Sequence, residues 1–503
     1  MTTTVTSGLV AELLAESAAK AGDATAVRDA GGAWSYARLA DLARGFGAWL
    51  DARGVRRGDR LVVQLPSTRE LVALFYGAAL RGVVFVPLNP GMKRFHLESV
   101  LANAEPALIV SAGERAGRLR GISSVPVHEL AELWPEVTAL ADSGVEPPAA
   151  GTVPEDVAVL VYTSGSTAAP KAVICPHAQI VFASRAIVEV LDYRPDDVVF
   201  CRFPLSWDYG LYKVLLACLG RSELVLADEE SDLLLLRRMR ETGATVVPIV
   251  PSLAQMIVSL ARRDPRALPP VRMFTNTGAA LPAKTVAELR ELFPGVRVVR
   301  QYGQTECKRV SIVPPREDRE HPGSVGVPLP GTRVLILDAD GRALPDGEVG
   351  EIVVTGPHVM PGYWRDTEQT ARTFRPDPDT GQPRLHTGDY GHLGADGHLY
   401  FEGRRDDMFK RKGIRMSTVE IEAAALDVPG IRAAVAIPPE DGHDLVIFVE
   451  GEVQPHAVLR ELAARLEPAK VPASCRVLDA IPLTQHGKNA RRELAETLRG
   501  DRS

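Results

Sequence analysis

The alternation of apolar and polar positions divides the chain into three textures. Over residues 8–60 the leucines and aromatics recur at helical spacing, with Leu9, Leu13 and Leu14 first and Leu39, Leu42, Phe46 and Leu50 later, so this stretch is read as helical. From there to about residue 300, short continuous apolar runs alternate with helical pattern. Leu61–Leu65, Val83–Val86 and Ala107–Val110 are strand-like, and Glu70–Leu80 lies between them with helical periodicity. Beyond a Pro/Gly/Ala-rich connection at Asp142–Pro154, the rhythm resumes with Val157–Val161, Val198–Phe203, Thr245–Val250, Val271–Thr275 and Val296–Arg300. Strand, helix, strand is the pattern of parallel sheets covered on both faces. From about 325 to 402, brief runs such as Val334–Leu337, Glu351–Thr355 and His398–Phe401 are separated by Gly, Asp and Pro turns, which predicts antiparallel β-structure. A basic stretch at Gly403–Arg415 then leads to a small α/β unit, with helices near 418–427 and 456–466 and strands near 432–437 and 444–450.

The expected architecture is therefore α/β. It has a large N-terminal domain of doubly wound α/β subdomains with a small antiparallel, β-barrel-like subdomain (1–404), and a small mobile α+β C-terminal domain (405–503). A chain of 503 residues exceeds one compact core, in keeping with that division. Composition changes the picture little. A formal net charge of −6 gives no reason to expect nucleic-acid or membrane binding. No apolar run reaches the roughly 20 residues of a membrane span, and the N-terminus lacks the basic segment of a secretory signal. Five cysteines without CxxC spacing fit reduced thiols, so a cytoplasmic location is expected.

Candidate chemistry is concentrated where the runs end. Val157–Val161 enters Tyr162-Thr-Ser-Gly-Ser-Thr-Ala-Ala-Pro-Lys171. There Gly165 permits positive φ, and backbone N–H groups with the hydroxyls of Thr163, Ser164, Ser166 and Thr167 suit an anionic oxygen. Lys171 supplies a point charge. A polar strand-to-helix turn would use the same residues. It is not a Walker loop, because Pro170 precedes the lysine and Ala172 follows it. The later runs end in Ser206–Gly210, Pro251-Ser252, Asn276–Gly278 and Gln301–Glu306. Ligands of open α/β sheets bind at the carboxyl ends of strands, so these clusters are expected to converge on one cleft.

Five segments, in order, resemble the adenylate-forming enzymes: acyl- and aryl-CoA synthetases, luciferases and peptide-synthetase adenylation domains. They are Tyr162–Lys171, Gln301-Tyr-Gly-Gln-Thr-Glu306, Leu385-His-Thr-Gly-Asp389, Gly403–Lys410 with Glu420-Ile-Glu422, and Pro482–Arg491 with its Gly487-Lys488. The resemblance implies that ATP and a carboxylic acid give an acyl-adenylate and pyrophosphate, with Mg²⁺ held by Glu306. It implies that Lys488, Thr305 and Glu306 serve catalysis and that residues 163–171 hold the β- and γ-phosphates. Gly278, Ala279, Tyr302 and Gly303 join the nucleotide site, Tyr302 stacking on adenine. Asp389 would take the ribose hydroxyls, Arg404 and Lys410 the ribose or phosphate side, and Asp406 the hinge. Each has a plain alternative: a solvated or salt-bridged Glu306, a turn aspartate at Asp389, a solvated basic face at Arg404 and Lys410. The chain departs from the family's pattern at Ala168 and Ala172, where glycines are usual, and at Thr418, where a proline is usual.

Asp208 aligns with the aspartate that amino-acid-activating members offer to the substrate ammonium, though capping the next helix would also explain it. Lys308 and Arg309 suit a second carboxylate, or are surface charges. Tyr209, Tyr212, Thr275, Thr277 and Gln301 complete the expected pocket. The tail after Lys488 is expected to carry no fused carrier domain. The acceptor is then the phosphopantetheine thiol of a separate carrier protein or, alternatively, free coenzyme A, and the basic surface at Arg404–Arg415 fits either. The leading expectation is a stand-alone enzyme activating an amino acid, α, β or acidic; an acyl- or aryl-CoA ligase is the alternative. Amide formation is a third outcome within the family. A non-catalytic relative fits poorly with Lys171, Glu306, Asp389 and Lys488 all present.

Overall fold

The computed structural model describes residues 8–163, 171–227, 232–265, 268–378, 380–404, 408–411, 414–440, 443–483 and 490–500. Two sheets dominate. One has six strands in the order Val127–Glu129, Leu108–Ser111, Arg60–Gln64, Val84–Pro87, Val157–Thr163, Lys171–Pro176. All its neighbours are parallel except the last pair, an antiparallel hairpin in which Thr163 faces Lys171. The hydroxyl-rich loop therefore joins two strands of a hairpin, and the strand-to-helix alternative does not apply.

The second sheet has a parallel centre. Arg297–Tyr302, Met273–Asn276, Val246–Ile249, Val198–Cys201, Glu223–Leu226 and Thr25–Asp29 lie side by side, and Gly32–Ser35 closes one edge antiparallel. At the other edge Arg297–Tyr302 pairs antiparallel with Ser311–Ile312. From there the sheet runs on through Ser324–Pro328, Leu399–Arg404, Pro383–Leu393, Gly350–Thr355 and Arg333–Leu337. The turn-rich region of the sequence is thus stitched directly onto the strand that ends in Gln301-Tyr302.

The expectation of a helical stretch over 8–60 needs one correction. Helices Val10–Ala21 and Tyr36–Ala52 flank the hairpin Thr25–Asp29/Gly32–Ser35. Its strands are too short and too polar to register against helical periodicity on both sides. Ser35 ends the hairpin and starts the helix, its hydroxyl accepting from the Arg38 N–H at 3.2 Å.

The cores follow the layers. One apolar cluster joins both sheets, from Val10 and Phe46 through Val298 to Leu399, and a second, with Val62, Val84, Ile109 and Leu160, packs on the six-stranded sheet. A smaller domain has cores of its own. Ile421, Ile447 and Val458 fill one, and Val435, Phe448 and Leu494 the other, around the strands Ile431–Ile437, Val446–Gly451 and Ser474–Leu478. No helix among the described residues is long and apolar enough to cross a membrane.

Candidate active site

The parallel strands Val198–Cys201, Val246–Ile249, Met273–Asn276 and Arg297–Tyr302 bring their carboxyl ends to one edge, and the acid side of the site is built there. Helix Asp208–Gly220 starts just beyond the first of them. Trp207 holds its N-cap position with no side-chain cap, so Asp208 is not the capping residue. Its Oδ1 instead accepts from the Lys308 ammonium at 2.6 Å. Lys308 is 1% exposed and sits at φ 66°, in the left-handed region. Its Nζ also donates to the Cys175 sulfur at 3.1 Å and lies 5.4 Å from the centre of the Tyr212 ring. Desolvation opposes the charge on Lys308, but Asp208 and the other acidic groups around it outweigh that and hold its pKa above the ordinary lysine value. Burial pushes the Cys175 thiol up, so it meets the lysine as a neutral acceptor.

Arg309 follows, buried as well. It donates from Nε to Gln301 Oε1 at 2.8 Å and from a terminal nitrogen to the Lys308 carbonyl at 2.6 Å. Its guanidinium lies 5.2 Å from the centre of the Tyr209 ring. No carboxylate pairs with it among the described residues. Tyr209 is fixed by its hydroxyl, which donates to the Thr275 carbonyl at 2.7 Å; Thr275 and Thr277 are both buried. Gly303 makes this packing possible. A Cβ there would stand 2.6 Å from the Lys308 carbonyl oxygen and 2.7 Å from the Arg309 Cα.

The expected nucleotide side is organised by two tyrosines. The Tyr302 hydroxyl donates to Asp389 Oδ2 at 2.7 Å, and Arg404 Nε lies 3.3 Å from the other oxygen. The Tyr302 ring also packs on Phe401, with centres 5.5 Å apart. The Tyr363 hydroxyl donates to Glu306 Oε1 at 2.7 Å, and Lys171 Nζ lies 5.9 Å from the centre of the Tyr363 ring. Burial, then the facing carboxylate, raises both phenols above their ordinary value, so they remain donors. Thr305 is half-buried in the turn after Arg297–Tyr302. Gly278 has φ 83°, and the Ala279 carbonyl accepts from Asn276 Nδ2 at 2.9 Å. Thr163 is tied to Lys171 by strand pairing.

Ser164, Gly165, Ser166, Thr167, Asp406 and Lys488 lie outside the described residues, as does the side chain of Lys410. Cys175 and Tyr363 were absent from the sequence-based set. Cys175 carries no local signal in an apolar strand, whereas the Pro361-Gly-Tyr363 turn is an exposed-looking aromatic beside glycine. Glu306, whose carboxylate accepts from the Tyr363 hydroxyl through Oε1, offers the hard oxygen donor that suits Mg²⁺, the ion that would neutralise phosphate charge when bound. A separate cluster, Glu317, His321 and His398, has ligand atoms within 4.8 Å of one another. Its imidazoles stack face to face at 3.5 Å. Their in-plane lone pairs run side by side instead of converging, and Asp396 lies 3.1 Å from one ring and 3.4 Å from the other.

The chain belongs to the AMP-binding enzyme family, whose model matches residues 14–364. It is an AMP-forming ligase that activates an acid at the expense of ATP. It is similar to the feruloyl-CoA synthase of an Amycolatopsis species, 30% identical over 92% of this chain and 94% of that one. Among solved structures it resembles VinN in complex with L-aspartate (56% identity, TM-score 0.74, covering 79% of this chain and 99% of that one). It also resembles ATP-bound MatB from Rhodopseudomonas palustris (28% identity, TM-score 0.87, covering 98% and 100%).

Proposed function

We propose that this enzyme adenylates an amino dicarboxylic acid of the aspartate type and passes the acyl group to the phosphopantetheine thiol of a separate carrier protein. The observation that carries this reading is the close-set trio of the partly buried Asp208 and the buried Lys308 and Arg309. Lys308 takes one oxygen of Asp208 and leaves the other for a substrate ammonium. Arg309, without a carboxylate of its own among the described residues, suits the carboxylate that is not activated. One carboxylate and two cations leave this pocket one positive charge in excess. An acid with two carboxylates and one ammonium brings one negative charge. Fatty and simple aryl acids bring no ammonium for the second oxygen of Asp208 and no second carboxylate for the buried Arg309. The likeness to VinN, solved with L-aspartate and with 3-methylaspartate, supports the same substrate class.

In this reading the free carboxylate attacks the α-phosphate, and pyrophosphate leaves toward Lys171 and residues 164–167. Asp389 holds the ribose, and Lys488 stabilises charge at the reacting oxygens. Rotation of residues 405–503 about Asp406 then removes Lys488 and admits the thiol, which displaces AMP. Coenzyme A is the alternative acceptor, favoured by the feruloyl-CoA synthase likeness. The test is ATP–pyrophosphate exchange across amino dicarboxylic, other α- and β-amino, aryl and fatty acids, followed by transfer to a carrier protein or to coenzyme A. Aspartate-type acids are expected to lead. Strongest exchange with an acid lacking an amine would overturn the reading.

A further inference from the structure

Helix Asp208–Gly220 holds another charge-bearing group, which neither the reaction nor the trio above employs. Lys213 is 1% exposed on a helix whose other residues from 209 to 218 are also buried. Among the described residues it makes no ion pair and donates no hydrogen bond. Its Nζ stands 4.3 Å from the centre of the Tyr209 ring, the same ring that Arg309 lies over at 5.2 Å. Two buried cations thus share one aromatic ring, and among the described residues neither has a carboxylate.

A cation–π contact contributes about 0.5–2 kcal/mol, short of the several kcal/mol that desolvating an ion costs. Such a pair is relieved by losing a proton or by gaining an anion. Arginine does not give up its proton, so the adjustable member is the lysine. The surroundings of Lys213 act accordingly. Burial and, next, the Arg309 charge bring it down to about 7, while the Cys201 thiol on the neighbouring strand and Asp208 on its own helix act weakly the other way. Tyr209, fully buried, stays a neutral phenol beneath it.

We propose that Lys213 is a third cation of the acid pocket, after Lys308 and Arg309, taking up a proton as a dicarboxylic amino acid enters and joining Arg309 on the carboxylate that is not adenylated. This rests on the substrate class argued above. The step moves only a proton, from solvent to Nζ, and breaks no other bond. Lys213 acts on binding and specificity and takes no part in phosphoryl chemistry.

The test is titration calorimetry of L-aspartate and 3-methylaspartate at pH 8, in two buffers of different ionisation enthalpy. The wild type is expected to take up about nine-tenths of a proton per acid bound, the neutral fraction of a group titrating near 7. Lys213→Met, an apolar replacement of similar length, takes up none, and neither does Lys213→Arg, which is charged beforehand. In exchange assays Lys213→Met raises the ratio of KM for L-aspartate to KM for 3-aminobutanoate at least tenfold. In the wild type KM for L-aspartate climbs above pH 7, and in Lys213→Arg it stays level. Equal proton uptake by wild type and Lys213→Met, or an unchanged KM ratio, overturns the inference while leaving the substrate class standing. Exchange with no dicarboxylic amino acid overturns both.

Discussion

The two halves of the site hold their charges in opposite ways. On the acid side the carboxylate of Asp208 is met by a full positive charge, Lys308, with Arg309 beside it. On the nucleotide side Glu306 and Asp389 each accept from a neutral phenol, Tyr363 and Tyr302, and the one cation beside them, Arg404 at 3.3 Å from Asp389, has a side chain 59% exposed. A lysine neutralises its partner and fixes a pocket of defined polarity. A phenol orients a carboxylate and leaves its negative charge for an incoming group, in the proposed reading a hydrated cation or a pair of ribose hydroxyls. The acid side is therefore built to select, the nucleotide side to receive.

The largest effect expected from this contrast is at Lys308. Lys308→Met leaves the partly buried Asp208 carboxylate without its partner, which costs about 3 kcal/mol, the low end for breaking a buried pair. Thermal unfolding should move down by several degrees and exchange should be lost. The double variant Asp208→Asn/Lys308→Met should recover most of the stability and none of the activity. A single variant as stable as wild type would end the claim that the pair is tightly coupled.

Arg309→Leu comes next. Losing a charged hydrogen bond to substrate is worth about 1.5–3 kcal/mol, so KM for aspartate-type acids should rise roughly ten- to a hundredfold, with little change in KM for ATP. If KM for ATP rose equally, the division into two halves would fail. Tyr363→Phe should act on the other half. We expect kcat to fall about tenfold and the acid KM to stay put, as Glu306 loses its orienting donor. The smallest effect is expected of Tyr302→Phe, a few-fold rise in KM for ATP measured under saturating acid.

What the sequence made legible follows the same line. Long apolar runs announced the parallel strands, because burial on both faces leaves an unbroken pattern. The ordered motifs announced the reaction class. Asp208, Lys308 and Arg309 were all legible as candidate pocket charges, but the pairing of Lys308 with Asp208 was not, since the two meet across a hundred residues. Lys213 was not among the residues singled out from the sequence, and only its buried surroundings give it meaning. The hairpin Thr25–Ser35 was lost to its short, polar strands, and the loop at 163–171 was open between a nest and a strand-to-helix turn until the pairing of Thr163 with Lys171 showed a hairpin.

The contact at Gly303 bears on how such an enzyme is retuned. Because a single added carbon would strike the backbone of residues 308 and 309, the turn proposed to read the acid is locked in shape to the loop proposed to read the nucleotide. New acids are then to be sought by exchanging side chains on a fixed frame, at 208, 213 and 309, and not by lengthening or reshaping the turn. An engineer who inserts residues there alters ATP binding first.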